Sequence, residues 1–260
     1  MLTDQQRVGV TGMGAVSPVG NDVASMWASL IAGRSGVGLI SSVDMSQLKT
    51  KVGAEVKDFD PTLYMDRKDV RRSDRYTHFA LAAAVQAVAD ADLQMEQEDP
   101  RRVGVVVGSG IGGVRTMFEQ YDVLRERGPR RVGPFTIPGM LANSASGQVA
   151  ISLGARGPNL VPVLACATGN AAIGEGFALI RRGAADVMVT GSAEAAFCEL
   201  ALAGFENMGA LSAHAGDPAG ASRPFDAGRD GFVMGEGAGM LVLESLAHAR
   251  ARGARIYGEI

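Results

Sequence analysis

Cysteine, histidine and aromatic residues are scarce in this chain of 260 residues. It has two cysteines and three histidines, and 5% of its residues are aromatic. Two cysteines far apart, Cys166 and Cys198, exclude a disulfide framework and are typical of a reducing compartment. The histidines His78, His214 and His248 do not have the spacing of metal ligands with each other or with the cysteines. We therefore expect no metal site.

Long apolar runs and an excess of one charge are also absent from the sequence. No apolar run approaches the roughly 18 residues that a membrane-spanning helix requires, and the first residues have no signal-peptide pattern. A formal net charge of −3 gives no general reason to expect nucleic acid or an anionic membrane as a partner. We expect a soluble, cytoplasmic protein.

Short apolar runs separated by helical patterns are what the chain does contain. Runs that do not alternate with polar residues are typical of strands buried on both faces of a sheet. The sequence therefore predicts an α/β layered fold around a mixed five-stranded sheet. The five predicted strands are Val8–Thr11, Val103–Val107, Leu160–Leu164, Val187–Val189 and Met240–Leu243.

Helical periodicity occupies much of the sequence between these runs. The long stretch from 193 to 230 is rich in glycine and is predicted to be mostly loop with one short helix, and long loops are often functional. The predicted helices are Asp22–Ile31, Thr77–Ala91, Gly113–Arg127, the small-residue segment Met140–Leu153, and a helix from Gly169 that ends at Gly183.

Cys166 lies where the apolar run Leu160–Leu164 gives way to the helix that begins near Gly169. Free N–H groups and the positive end of the helix dipole at such a junction favour a thiolate. A strand followed by a cysteine and a helix is therefore typical of a thiol nucleophile in acyl transfer. The alternative is a small buried hydrophobic residue that only packs. Cys198, with no turn or helix start beside it, is interpreted as packing alone.

The segment Gly108–Gly113 fits the pattern G-x-G-x-x-G of dinucleotide-binding proteins. Its context does not fit, because a polar helix and then the basic segment Arg125–Arg131 follow it, without the acidic residue that holds a ribose. A nicotinamide-dependent dehydrogenase is thus a distant alternative, and we expect no cofactor. Two basic clusters, at 66–72 and 125–131, are either solvated surface charge or a docking patch for an acidic partner.

Several motifs together resemble the β-ketoacyl-acyl carrier protein synthases of the elongating type, from the thiolase superfamily. The resemblance covers essentially the whole chain in the same order. It rests on Val10–Gly20, Gly108–Gly113, the cysteine segment Leu164–Gly174, Ser222–Asp226 and Arg229–Gly239.

The resemblance implies the N-terminal half of a thiolase-like αβαβα architecture, usually dimeric. It implies that Cys166 accepts an acyl chain as a thioester and that its backbone N–H helps to form an oxyanion hole. Gly110, Ile111 and Thr168 are then substrate-binding residues, with Ile111 as a gate at the acyl pocket. A malonyl-carrier thioester would be decarboxylated to extend the chain. The implied docking site for the acyl carrier protein comprises Arg67, Lys68, Arg71, Arg72, Arg130 and Arg131.

The family's catalytic histidines and lysine belong to a second half for which the 260 residues have no counterpart. Malonyl decarboxylation develops an enolate that requires hydrogen-bond donors, and none of the three histidines falls in a matching motif. We therefore expect residues 1–260 to form an N-terminal ketosynthase half completed by a complementary C-terminal polypeptide. The alternatives are a piece of a longer synthase and a non-catalytic carrier-binding or chain-length-setting subunit, against which Cys166 argues.

Overall fold

The computed structural model, which describes residues 3–260, is built around one mixed sheet of six strands. The order across this sheet is β5-β4-β6-β7-β1-β8, and β2 and β3 form a separate pair. β5, β4 and β6 run parallel, whereas β7 is antiparallel to both β6 and β1. The strands are β1 (Val8–Val16), β2 (Gly38–Leu39), β3 (Val52–Gly53), β4 (Val103–Gly108), β5 (Asn159–Leu160), β6 (Val187–Glu194), β7 (Gly237–Ser245) and β8 (Gly258–Glu259).

Helices connect and cover these strands. Most predicted helices are confirmed within one or two residues, including the single short helix in the stretch from 193 to 230. Within residues 3–260, no helix combines the length and apolarity that crossing a bilayer requires. The helices are α1 (Val23–Ile31), α2 (Arg67–Val70), α3 (Arg75–Asp90), α4 (Val114–Arg127), α5 (Thr136–Met140), α6 (Ser144–Leu153), α7 (Thr168–Arg181), α8 (Glu199–Asn207) and α9 (Leu246–Ala251).

Helix α3 packs on one face of the sheet at unusually short range. A Cβ atom on Gly12 or Gly14 of β1 would lie 2.1 Å from the Ala87 carbonyl or 1.9 Å from the Ala83 carbonyl. Glycine is therefore required at both strand positions, because the backbone of α3 leaves no room for a Cβ atom there. This explains how a chain poor in aromatic residues still builds a close-packed core.

Helix α7 covers the opposite face of the sheet. Its buried residues Leu179 and Ile180 share an apolar cluster with Val8 of β1 and Met188 of β6. The chain thus forms three layers, with α3 and α6 on one face, the sheet in the middle and α7 on the other. These layers place the N-terminal end of α7 next to the carboxyl ends of β4 and β6.

The sheet has six strands rather than the predicted five, because the terminal β8 pairs with β1. The predicted buried strand Leu160–Leu164 is largely wrong, since only Asn159 and Leu160 pair with β4. β5 lies at the edge of the sheet, and Pro162 has no N–H to continue the pairing. The side chains of Val163 and Leu164 are consequently exposed.

The single predicted helix Met140–Leu153 is also wrong, because the structure contains two helices, α5 and α6, with a break between them. In a continuous helix the Met140 carbonyl would accept the N–H of Ser144. It accepts the N–H of Gly113 instead, at 3.2 Å, and Ser144 donates to Leu141. A tertiary contact with the segment after β4 therefore replaces a helical hydrogen bond.

Candidate active site

Cys166 lies in a tight 3-10 turn, Ala165–Ala167, immediately before α7. Its side chain is exposed. Ala165 has a φ of 46°, in the left-handed region that non-glycine residues rarely adopt. The Leu164 N–H donates to the Thr168 hydroxyl at 2.9 Å, and the Ala167 N–H donates to the Leu164 carbonyl at 3.0 Å. These bonds hold the strained turn and present the thiol at the helix N-terminus.

The turn opens into a cavity of about 670 Å³. Cys166, Gly110, Ile111 and Thr168, which the sequence predicts to act together, all line it. Its walls otherwise come from the end of β1, the end of β6 and the glycine-rich segment that enters β7. The tertiary structure thus brings together residues from segments that are far apart in the sequence.

The three predicted substrate-binding residues contribute to this cavity in different ways. Ile111 is 44% exposed, so its side chain is available to a ligand. Gly110 lies in a narrow space, because a Cβ atom there would be 2.9 Å from the Glu194 carboxylate and 3.6 Å from the Cα of Ala165. Thr168 is buried, and its hydroxyl accepts the N–H of Leu164. Its observed contact therefore supports the turn.

Glu194 is a cavity residue that the sequence analysis missed. Its carboxylate accepts hydrogen bonds from the Ser109 hydroxyl and from the N–H groups of Gly110 and Ile111. Burial raises the pKa of this carboxyl despite these bonds. A signal was present in the sequence, since Glu194 follows a predicted strand closely and the ends of parallel strands meet at one edge.

The glycine-rich segment after position 230 forms the wall opposite the turn. Gly237 has a φ of 151°, and a Cβ atom there would lie 2.4 Å from the Val16 carbonyl. This close approach is why the signature needs glycine at that position. In the preceding loop, Arg223 pairs with Asp230 at 3.1 Å, and Phe225 is 99% exposed.

The residues of the predicted basic patch lie at the surface in two segments. Arg67, Lys68 and Arg71 are on or beside α2 and face solvent, as do Arg130 and Arg131. The guanidinium of Arg72 lies 4.5 Å from the ring centre of Phe135, which connects the two segments. This contact brings Arg72 close to the chain that follows Arg131.

Cys198 packs in an apolar cluster, as the sequence analysis expects. The prediction that no helix begins beside it was wrong. Cys198 is the N-cap residue immediately before α8. Its thiol is buried, and this burial raises its pKa.

The histidines lie away from the Cys166 cavity. Burial lowers the pKa of His78, whose Nε2 is 3.1 Å from the Val70 carbonyl. His214 is exposed, and His248 belongs to an ion-pair network with Glu244 and Glu98. No histidine lines the cavity within residues 3–260, so the described chain places none beside the thiol.

Comparison with known families decides the assignment. Residues 5–249 match the family model described as the N-terminal domain of beta-ketoacyl synthase. The chain belongs to this family. A curated relative of the beta-ketoacyl synthase domain, "3-oxoacyl-[acyl-carrier-protein] synthase 2" of Synechocystis sp., is 49% identical over 257 residues. That alignment covers 99% of this chain and 62% of the relative, so the chain spans less than two thirds of its length.

Solved structures show that the beta-ketoacyl synthase domain has the thiolase-like fold that the sequence predicts. A beta-ketoacyl synthase from Burkholderia phymatum STM815 aligns with a TM-score of 0.87 and 34% identity, over 98% of this chain and 62% of that one. A type II PKS acyl-carrier protein in complex with its ketosynthase aligns with a TM-score of 0.85 and 34% identity, over 97% and 61% of the two chains. The α/β fold class is confirmed.

Proposed function

We propose that this chain is the acyl-accepting part of a β-ketoacyl-acyl carrier protein synthase, an acyltransferase. The Cys166 sulfur attacks the carbonyl carbon of an acyl-carrier thioester. A new C–S bond forms, the bond to the carrier's sulfur breaks, and the carrier leaves as a thiolate. The observation that carries this proposal is an exposed thiol, held in a strained turn before α7, that opens into the cavity lined by Gly110 and Ile111.

The backbone supports the role of the turn in stabilising a tetrahedral oxyanion. The N–H groups of Ala165 and Cys166 donate to no backbone or side-chain acceptor of residues 3–260, whereas those of Leu164 and Ala167, which flank them, are both satisfied. An unused backbone donor beside the attacking sulfur is suited to a negative charge that develops on the carbonyl oxygen.

Condensation with a malonyl-carrier thioester requires groups beyond this chain's own cavity. Loss of carbon dioxide leaves an enolate, whose carbon attacks the Cys166 thioester and expels the Cys166 sulfur. The enolate needs hydrogen-bond donors, and no histidine or lysine of residues 3–260 lines the cavity. We assign these donors to a complementary C-terminal polypeptide, so that residues 1–260 form the N-terminal half of the synthase. We further propose that two completed units form a dimer and that the synthase acts in the cytoplasm.

Acylation of Cys166 is the direct test. With an acyl-loaded carrier protein and the complementary polypeptide present, we expect the mass of this chain to increase by one acyl group, located on Cys166 by peptide mapping. Cys166→Ala should abolish the increase. Cys198→Ala is the matched control and should keep it, since that thiol is buried. No acylation of the intact complex, or equal labelling of Cys166→Ala, would contradict the proposal.

The same assay tests the docking patch. An acyl carrier protein is acidic, so exposed arginines on and beside α2 favour its encounter with this chain. Arg71→Glu is expected to slow acylation from the carrier protein, and acylation from a small pantetheine thioester should be unchanged. Equal slowing with both donors would indicate that Arg71 does not act in docking.

A second candidate is a carrier-binding or chain-length-setting subunit without catalysis. It shares the fold and the basic patch, but it has no use for a thiol exposed in the cavity. Absence of Cys166 acylation together with retained binding of the carrier protein would favour it.

A further inference from the structure

Glu194 holds its charge at the cavity wall without a cationic partner. No lysine, arginine or histidine nitrogen of residues 3–260 lies within 4.0 Å of its carboxylate. The Ser109 hydroxyl donates to one oxygen at 3.1 Å, and the Gly110 and Ile111 N–H groups donate to the other at 2.8 and 3.2 Å. Two consecutive backbone N–H groups that converge on one oxygen form an anion-binding nest.

These three bonds hold the part of the segment after β4 that faces the cavity. Gly112 is held separately, because its N–H donates to Ser109 Oγ at 2.8 Å, and the N–H of Gly113 donates to Met140. The side chain of Ile111 is exposed to the cavity. Its position therefore depends on the bonds that its own N–H and that of Gly110 make to Glu194.

The contact continues to the nucleophile's turn. Gly110 lies between the Glu194 carboxylate and the backbone of Ala165, the residue with the left-handed φ that precedes Cys166. A shift of Gly110 toward the turn would meet the Cα and carbonyl of Ala165. Glu194 thus controls both one wall of the cavity and the support of the turn.

A second glutamate shows what the same hydrogen bonds do elsewhere in the molecule. Glu55 accepts the N–H and hydroxyl of Ser41 and the N–H of Ser42. Burial alone would raise the pKa of Glu55, but these bonds outweigh it and the pKa is lowered. At Glu194 burial outweighs the bonds and the pKa is raised. An acidic side chain in a cavity wall whose pKa is shifted by burial is typical of a functional position.

We propose that Glu194 is a positioning residue that fixes the Ser109–Ile111 segment and thereby limits the width of the acyl group that reaches the Cys166 thiol. This inference rests on the proposed function, in which Cys166 receives an acyl chain through this cavity. Without Glu194, two backbone N–H groups lose their acceptor and must turn toward water. The segment then moves outward, and the cavity admits wider groups.

The test uses two alkylating probes, iodoacetamide and its wider N-(1-adamantyl) derivative, on the 260-residue chain. Each forms a C–S bond with the Cys166 thiolate and releases iodide, so the reaction requires neither carrier protein nor synthase activity. The ratio of the adamantyl-probe rate to the iodoacetamide rate, read by peptide mapping, cancels differences in thiol reactivity. Glu194→Ala removes the acceptor of three hydrogen bonds, and loss of even one typically changes such a rate by about three- to tenfold, so we expect the ratio to rise by about threefold or more.

Two further variants separate positioning from stability. Glu194→Gln should restore the ratio toward that of the wild type, because its amide oxygen still accepts the two N–H groups and its NH₂ donates to Ser109 Oγ. Glu55→Ala is the matched control, which loses the same kinds of bonds outside the cavity and should leave the ratio unchanged. An equal rise of the ratio in Glu55→Ala would show that Glu194 only stabilises the fold, and it would overturn the proposal.

Ser109→Ala keeps the experiment decisive if Glu194→Ala does not fold. It removes the bond to Glu194 and the acceptor of the Gly112 N–H, and the ratio should rise in the same direction. An unchanged ratio in whichever of these variants folds overturns the inference. A raised ratio without carrier-dependent acylation would instead reject the proposed function and leave the positioning role standing.

Discussion

Ala165 shows how much of the site depends on a single residue's backbone. Its φ of 46° is left-handed, and alanine in that conformation is destabilised by about 1–2 kcal/mol because its Cβ approaches the carbonyl oxygen. Two residues on, Ala167 has an ordinary φ of −89°. The turn therefore contains two exposed alanines of opposite backbone preference on either side of Cys166.

Glycine at these two positions should have opposite effects. Ala165→Gly relieves the strain and is expected to raise the free energy of unfolding by about 0.5–1 kcal/mol, after allowing for the backbone entropy of glycine. Ala167→Gly has no strain to relieve and should lower it by about 0.5–1 kcal/mol. Urea unfolding of both variants measures the sign of each change in the free energy of unfolding. Destabilisation by Ala165→Gly would show that the turn does not have a left-handed residue in solution.

Glu244 links secondary-structure elements to one another and is not part of the candidate active site. It lies fully buried in β7 and accepts hydrogen bonds from Thr11 of β1, from His248 in α9 and from Arg252 just after it. Burial alone would raise the pKa of Glu244, but these donors outweigh it and lower the pKa from 4.5 to about 2. The bond to Glu244 raises the pKa of His248 above its usual 6.5. The network therefore fastens α9 to the sheet through charge.

The pH dependence of stability follows from these directions. His248 contributes fully below pH 6.5 and loses its contribution as the pH rises through its raised pKa, whereas Glu244 contributes above pH 4.5 and loses its contribution toward pH 2. We expect His248→Gln to flatten the fall in the free energy of unfolding above pH 6.5, measured by urea unfolding at several pH values.

His78 provides a control of opposite sign for this experiment. Burial lowers its pKa, so its contribution is present above pH 6.5 and is lost as the pH falls. Replacing His78 with glutamine should therefore reduce the loss of stability at acidic pH. The same pH response in both variants would argue against the ion-pair network as the cause.

At the scale of the whole molecule, several large apolar side chains in or near segments that line the cavity are exposed within residues 3–260. Phe225 is 99% exposed and has a left-handed φ of 67°, and Phe232 and Leu164 are also exposed. Large apolar side chains exposed at a surface are candidates for contact with a partner. The complementary C-terminal polypeptide of the proposed function would cover these side chains.

Phe225→Ser is expected to weaken co-purification of this chain with a co-expressed C-terminal half by about tenfold or more, because a large aromatic anchor is lost. Leu63→Ser is the matched control, since Leu63 is an exposed apolar residue on a different surface, beside α2. Size-exclusion chromatography measures the association as the amount of the C-terminal half that co-elutes with this chain. If this chain is a stable monomer that does not bind the C-terminal half, the complementary-half proposal is rejected.

The sequence by itself determined the α/β fold, most helices and the membership in a family, because these depend on periodicity and on local motifs. It also selected Cys166, Gly110, Ile111 and Thr168, since each belongs to a short segment with a recognisable pattern. The break between α5 and α6 and the end of β5 at Leu160 could not be obtained this way. Each depends on a distant contact or on a position at the edge of the sheet.

Glu194 shows most clearly what only the tertiary structure decided. Its neighbours in sequence are ordinary strand residues, and its role depends on three donors that lie more than eighty residues away. The local sequence pattern indicates which side chains are chemically suited to a functional role. The partners of those side chains are set by the parallel pairing of β4 and β6, which brings two strand ends to the same edge.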